Sequence, residues 1–128
     1  MQGGILPLPL LTNVLFMAQL RVSKVIYIDR RAEKELRKFP RLVQLKFQAL
    51  FEILQQEGKL EEPFGKKLSG TINLFEIRVK YQGQWRALYS YMYKDSKDSI
   101  VVLAAFAKKT QKTPSAELRK AKKRLLDY

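Results

Sequence analysis

Ser99–Pro114, SIVVLAAFAKKTQKTP, is the stretch that decides how this chain folds. From Ile100 to Ala107 no side chain is polar. A strand apolar on both sides has to be buried on both sides, so Ile100–Phe106 is predicted as a central strand of a sheet. The strand then leaves the core and runs into Lys108, Lys109 and Lys112, fixing ammonium groups at one place on the sheet's edge. A phosphate-handling site needs that arrangement, and a plain soluble surface can share it.

Working outward, Thr113-Pro114 reads as an N-cap followed by proline at the first helical position. The closing helix then carries Leu118, Ala121 and Leu125 on one stripe, with Lys and Arg elsewhere. On the other side, Asp95–Asp98 is a polar turn, and Leu74–Tyr93 reads as two strands around Gln82-Gly83. Phe75, Ile77, Val79 and Tyr81 alternate on one strand, and Trp85, Ala87, Tyr89 and Tyr91 on the next. A three-residue loop, Gln82–Gln84, pairs Tyr81 with Trp85 and puts both apolar sets on one face. The opposite face then gathers Glu76, Arg78, Lys80 and Arg86.

Before this hairpin lies a loop, Lys59–Gly70, with the basic pair Lys66 and Lys67. Lys24–Ile28 is a first strand; Asp29 caps a helix from Arg30 to about Lys38, stopped by Pro40. A second helix is predicted over Arg41–Glu57 with Gly58 as its left-handed cap. Its broad apolar face is Leu42, Leu45, Ala49 and Ile53 flanked by Val43, Phe47, Leu50 and Leu54. Residues 1–23 read as an extension ahead of the domain spanning 24–128, with Met17 as a conceivable natural start. Residues 1–20 carry no charge, lack the basic start of a signal peptide and fall short of the ~20 apolar residues that span a bilayer. The expected architecture is α+β: an antiparallel sheet with the helices on one face and the other face open.

Composition narrows the chemistry. The chain has 128 residues with 25 Lys+Arg against 12 Asp+Glu, a formal charge of +13. Eight basic residues and one acidic residue fall between Lys108 and Arg124. Such a balance favours a polyanionic partner. Without cysteine or histidine there is no disulfide, no thiol nucleophile and no imidazole metal site, so acid–base work falls to Lys, Arg, Tyr, Glu or Asp. If RNA is the substrate, attack of a 2′-hydroxyl on the adjacent phosphate needs a base, cations on the phosphorus oxygens and an acid for the leaving 5′ oxygen. Arg78 and Arg86 suit the phosphate, Lys108 or Lys109 suits charge stabilisation or proton donation, and Glu76 is the one carboxylate available as a base. A single carboxylate argues against two-metal cleavage, so no metal or other cofactor is expected. The same face equally fits a basic module that binds RNA or an acidic partner without chemistry.

Three motifs carry a resemblance: Leu74-Phe-Glu-Ile-Arg78, Trp85-Arg-Ala-Leu-Tyr89, and Phe106-Ala-Lys-Lys-Thr-Gln-Lys-Thr-Pro114. With the opening VIYIDRRAEKELRKFP they resemble the phage-derived Gp49-like branch of the RelE/HigB toxin superfamily, from about residue 24 to the C-terminus. The resemblance implies a RelE-like, microbial-ribonuclease-like fold with an N-terminal helical hairpin on one sheet face and a C-terminal helix. It further implies a type II toxin, an mRNA interferase that acts on the ribosome in the cytoplasm, and a cognate antitoxin of helix-turn-helix type. The basic cluster of the family carries over to Arg78, Arg86 and Lys108 or Lys109; Lys66, Lys67, Lys80, Lys112, Arg119, Lys122 and Lys123 are the expected RNA and ribosome contacts. Glu76 stands where some relatives have lysine, and Thr113-Pro114-Ser115 where some have a tyrosine.

Overall fold

The computed structural model describes residues 5–7, 23–71 and 73–128. The strands are β1 (Ile5–Pro7), β2 (Val25–Asp29), β3 (Gly65–Lys67), β4 (Phe75–Lys80), β5 (Gln84–Lys94) and β6 (Lys97–Lys108). The described helices are α1 (Arg30–Arg37), α2 (Arg41–Glu57) and α3 (Ser115–Leu125). One sheet runs β1-β2-β6-β5-β4-β3, so the apolar run of β6 lies in its interior with Ile100–Phe106 all buried, as its composition requires. Neighbouring strands are antiparallel except β2 and β6, which pair in parallel because the α1–α2 hairpin and the β3–β5 meander intervene. β3 lies inside the stretch expected to be loop, and β1 brings three residues of the N-terminal extension onto the edge of β2. Met17 lies outside the described residues.

Local chemistry sets the start of α1 and the end of α2 as expected. The Asp29 carboxylate accepts from the Arg31 N–H at 2.8 Å, and Gly58, at φ +80°, closes α2 through an N–H to the Leu54 carbonyl. Which half of α2 faces the sheet is a correction. Val43, Phe47, Leu50, Phe51 and Leu54 are buried, whereas Leu42, Leu45 and Ile53 are each about half exposed. The apolar face is wider than one helix can cover against one sheet, and tertiary packing chose its flank.

A second correction concerns the helices, which occupy both faces of the sheet. The α1–α2 hairpin packs with Ile77, Val79, Ala87, Tyr89, Ile100 and Val102. α3 crosses back over the other face, where Ala121, Leu118 and Leu125 meet Leu88, Val101, Leu103 and Phe106. Each fully buried apolar side chain contributes roughly 1.5–3 kcal/mol. Two cores therefore hold a sheet that is polar only near one end. The β4–β5 loop is Tyr81–Gly83, not Gln82–Gln84: Lys80 pairs with Gln84 and Arg78 with Arg86. Gln82 and Gly83 take positive φ (+47° and +136°), which glycine adopts at least cost, and this moves the loop one residue toward the N-terminus. The register slips by two, so facial parity survives. Trp85 and Tyr91 are partly buried against the core and Tyr89 fully, as parity requires, while Tyr93 is exposed.

β2 covers β6 only along Ser99–Val102, and beyond that the edge of β6 is closed by side chains. The Ala105 N–H donates to Glu35 Oε1 at 3.1 Å, and Arg124 Nη1 donates to the Leu103 carbonyl at 2.8 Å and to Glu35 at 3.0 Å. Burial alone would raise the Glu35 carboxyl, but Arg124, the Ala105 amide and Lys120 outweigh it and hold it below its ordinary value of 4.5. Asp29 behaves alike: burial raises it, but hydrogen bonds from Arg31 and Tyr128 bring it below 3.8. Depressed carboxyls stabilise the fold at neutral pH, and that stability is lost as pH falls through and below these values. Glu35→Gln is therefore expected to melt lower at pH 7 and to show a shallower loss of stability between about pH 5 and pH 3. Parallel denaturation curves for the two proteins across that range would refute the edge-closing role.

Candidate functional site

The site forms at the end of the second sheet face that α3 leaves uncovered. Arg78 and Arg86 are direct cross-strand partners, so their guanidinium groups share that face. Lys108 joins them because of a bulge in β6. Leu88 pairs with Ala104 but Tyr89 with Val102, which leaves Leu103 as an extra residue. Past the bulge the parity flips: Arg86 pairs with Phe106 and Gln84 with Lys108, which therefore point to the arginine face. Without the extra residue Lys108 would point toward the helical hairpin.

Glu76 lies beneath this cluster at 1 % exposure. Its Oε1 accepts from Arg78 Nε at 2.7 Å and stands 3.5 Å from Arg86 Nε, while Oε2 accepts from the Thr113 hydroxyl at 2.9 Å. Arg86 is 4 % exposed and donates from Nη2 to Gln84 Oε1 at 2.7 Å and from Nη1 to the Trp85 carbonyl at 3.0 Å. Its Nε has no hydrogen-bond acceptor among the described residues. Burial pushes the Arg86 pKa down and Glu76 pulls it back; Arg78 adds to the lowering. The guanidinium still carries its charge, since arginine does not deprotonate in proteins. Lys108 is also lowered, first by burial and then by the charge of Arg86, with Arg78 and Lys66 adding to the effect and Glu76 opposing it.

The anticipated residues thus separate. Arg78, Arg86, Lys108 and Glu76 come together, and Lys80 lines the same cleft of about 630 Å³. Lys66 sits opposite Glu76 on β3 and its charge reaches Lys108. Lys109 is exposed and outside the cleft lining. Lys67 is exposed and donates to the Thr71 carbonyl; Lys112 is exposed in the loop, and Arg119, Lys122 and Lys123 on α3. Two contributors went unforeseen in the sequence. Thr113 was expected to cap α3, yet the cap position is Pro114 with no side-chain bond, and the Thr113 hydroxyl is spent on Glu76. Gln84, expected in the loop, is instead the first residue of β5 and orients Arg86. Among the described residues, no three acidic, histidine or cysteine side chains converge to hold a metal ion.

A mixed sheet with a helical hairpin on one face, a C-terminal helix on the other and a basic patch between β4, β5 and β6 has the fold of the RelE toxins. The chain is similar to the structure of a double arginine-to-alanine mutant of the E. coli toxin RelE in the free state, with a TM-score of 0.61 and 22 % identity over 82 % of this chain and 99 % of that one. It is also similar to a chain of the toxin–antitoxin complex RelBE2 from Mycobacterium tuberculosis, with a TM-score of 0.50 and 20 % identity over 69 % of this chain and 100 % of that one. At such identities the likeness establishes the fold. In sequence, the phage-derived Gp49-like family matches residues 34–126, and the chain belongs to that family. No curated protein matches it. None of the described helices is long and apolar enough to cross a membrane.

Proposed function

We propose that this chain is the toxin of a type II toxin–antitoxin pair and that it cuts mRNA on the ribosome without a metal. One observation carries the reading: Arg78 and Arg86 oppose each other across β4 and β5 on a single buried carboxylate, with Lys108 on the same face. The likeness to RelE and to a chain of a toxin–antitoxin complex supports it. A ribose 2′-hydroxyl gives up its proton to solvent water as its oxygen attacks the adjacent phosphorus. The bond to the 5′ oxygen breaks, that oxygen takes a proton from Lys108, and a cyclic phosphate and a 5′-hydroxyl result; solvent then restores the proton on Lys108. Planar guanidinium forks match the phosphoryl oxygens on which charge builds. Lys108, with its pKa lowered, gives up a proton more readily and so suits protonation of the leaving 5′ oxygen. Glu76, buried with both oxygens engaged, orients the two arginines in this scheme rather than taking the 2′ proton.

In this reading Lys66, Lys67, Lys80, Lys112, Arg119, Lys122 and Lys123 contact mRNA and the ribosome, and the protein acts in the cytoplasm. The cognate antitoxin, of helix-turn-helix type, neutralises it. Mapping mRNA 5′ ends after brief induction tests the reading, with new ends expected inside translated codons. Growth arrest without new ends would instead make the chain a non-catalytic basic module that holds RNA or its antitoxin.

A further inference from the structure

The cleft that holds Arg78, Arg86 and Lys108 continues around the free end of β4, where α2 and the loop before β3 form its far wall. Phe64 stands there with 53 % of its surface exposed, whereas Phe39, Phe47, Phe51 and Phe106 are all buried. An exposed phenyl ring forgoes roughly 1.5–3 kcal/mol of burial, so its position calls for a reason. The residue does not dangle. Its carbonyl accepts the Arg78 N–H at 2.8 Å and its N–H donates to the Glu61 carbonyl at 3.0 Å, fixing the ring's backbone beside the site arginine. Gly65 tightens the loop, since a Cβ there would lie 2.5 Å from that of Leu60.

Charge tells what the ring faces. Lys46 and Lys80 join Arg78, Arg86 and Lys108 in lining the cleft, and among the described residues no acidic side chain lines it. Five cations around a flat apolar surface fit a ligand that is anionic along its backbone and flat in its side groups, which is single-stranded nucleic acid. We infer that Phe64 is the stacking platform for a nucleobase of single-stranded RNA, with Lys46 and Lys80 holding the phosphates that flank it. The choice of RNA rests on the nuclease reading above; the stacking does not.

The test titrates the full chain with a short single-stranded RNA that carries 2-aminopurine and 2′-O-methyl riboses, so that it cannot be cut. Wild-type protein is expected to quench the fluorescence saturably, Phe64→Trp to keep the affinity, and Phe64→Ala to lose about tenfold. With an abasic residue in place of the 2-aminopurine, wild type and Phe64→Ala are expected to bind equally, as read by competition. Equal binding of both proteins to the intact RNA, a tenfold loss that persists on the abasic RNA, or no saturable quenching by wild type would each overturn the inference. So would an acidic peptide that binds the cleft where RNA does not. The two readings separate cleanly: quenching by Phe64 with intact mRNA after induction retires the nuclease and leaves the platform. Phe64→Ala with unaltered affinity and unaltered cleavage retires the platform and leaves the nuclease.

Discussion

Glu76→Ala is expected to destabilise the protein by about 3–5 kcal/mol, the cost of leaving a buried ion without its partner. Domains of this kind hold roughly 5–15 kcal/mol in total, so the loss is a large fraction of the whole. Glu76 is 1 % exposed and Arg86 4 %, and the Arg86 Nε already lacks an acceptor, so removing the carboxylate strands a desolvated guanidinium. Arg78 and the Thr113 hydroxyl lose their partner in the same step, which also frees the loop between β6 and α3. Glu76→Gln keeps the volume and one acceptor oxygen but no charge, and is expected to fall between the two. Glu76→Leu combined with Arg86→Met is expected to recover most of the stability, because an apolar replacement for a buried pair is often neutral. Urea denaturation at neutral pH measures all four proteins. A midpoint unmoved in Glu76→Ala would show that the carboxylate does not anchor this face.

How much of this was legible in the sequence differs residue by residue. The start of α1 and the end of α2 were legible because Asp29 and Gly58 act through their own backbone neighbours. The shared face of Arg78 and Arg86 was legible too, since strand parity survives a register slip of two. Their direct opposition was not: it depends on Gln82 and Gly83 both taking positive φ, and neighbouring three-residue loops preserve the same alternation. The bulge at Leu103 left no trace, because a run apolar on both faces has no alternation to interrupt. Lys108 reaches the site only through that bulge. The burial of Glu76 was hidden for another reason. It follows from the two arginines lying over it and from the loop between β6 and α3 bringing the Thr113 hydroxyl onto it, and strand parity shows neither. Thr113 then had two uses open to its hydroxyl, a helix cap or a distant carboxylate 37 residues away, and only the fold decides between them.

Arg86→Ala is expected to slow mRNA cleavage about 10²–10³-fold, the usual cost of removing one fixed donor to a charge that develops in the transition state. The fold should survive. The substitution removes a buried cation and leaves Glu76 still paired with Arg78 and Thr113, in contrast to Glu76→Ala. Arg86→Lys is not expected to restore the rate, because one ammonium cannot replace a guanidinium held at the same time by Gln84, Trp85 and Glu76. Arg86→Ala and Arg78→Ala are both expected to abolish growth arrest, Arg78→Ala with the smaller change in rate, since its side chain is 27 % exposed and water partly screens it. The lysines divide by the same geometry. Lys108→Ala should resemble Arg78→Ala, while Lys109→Ala, exposed and outside the cleft lining, should leave cleavage nearly intact. Single-turnover cleavage on mRNA-programmed ribosomes reads each rate, with thermal melts to confirm folding. Full activity in folded Arg86→Ala and Arg78→Ala proteins would move the chemistry off this sheet face, however well its charges converge.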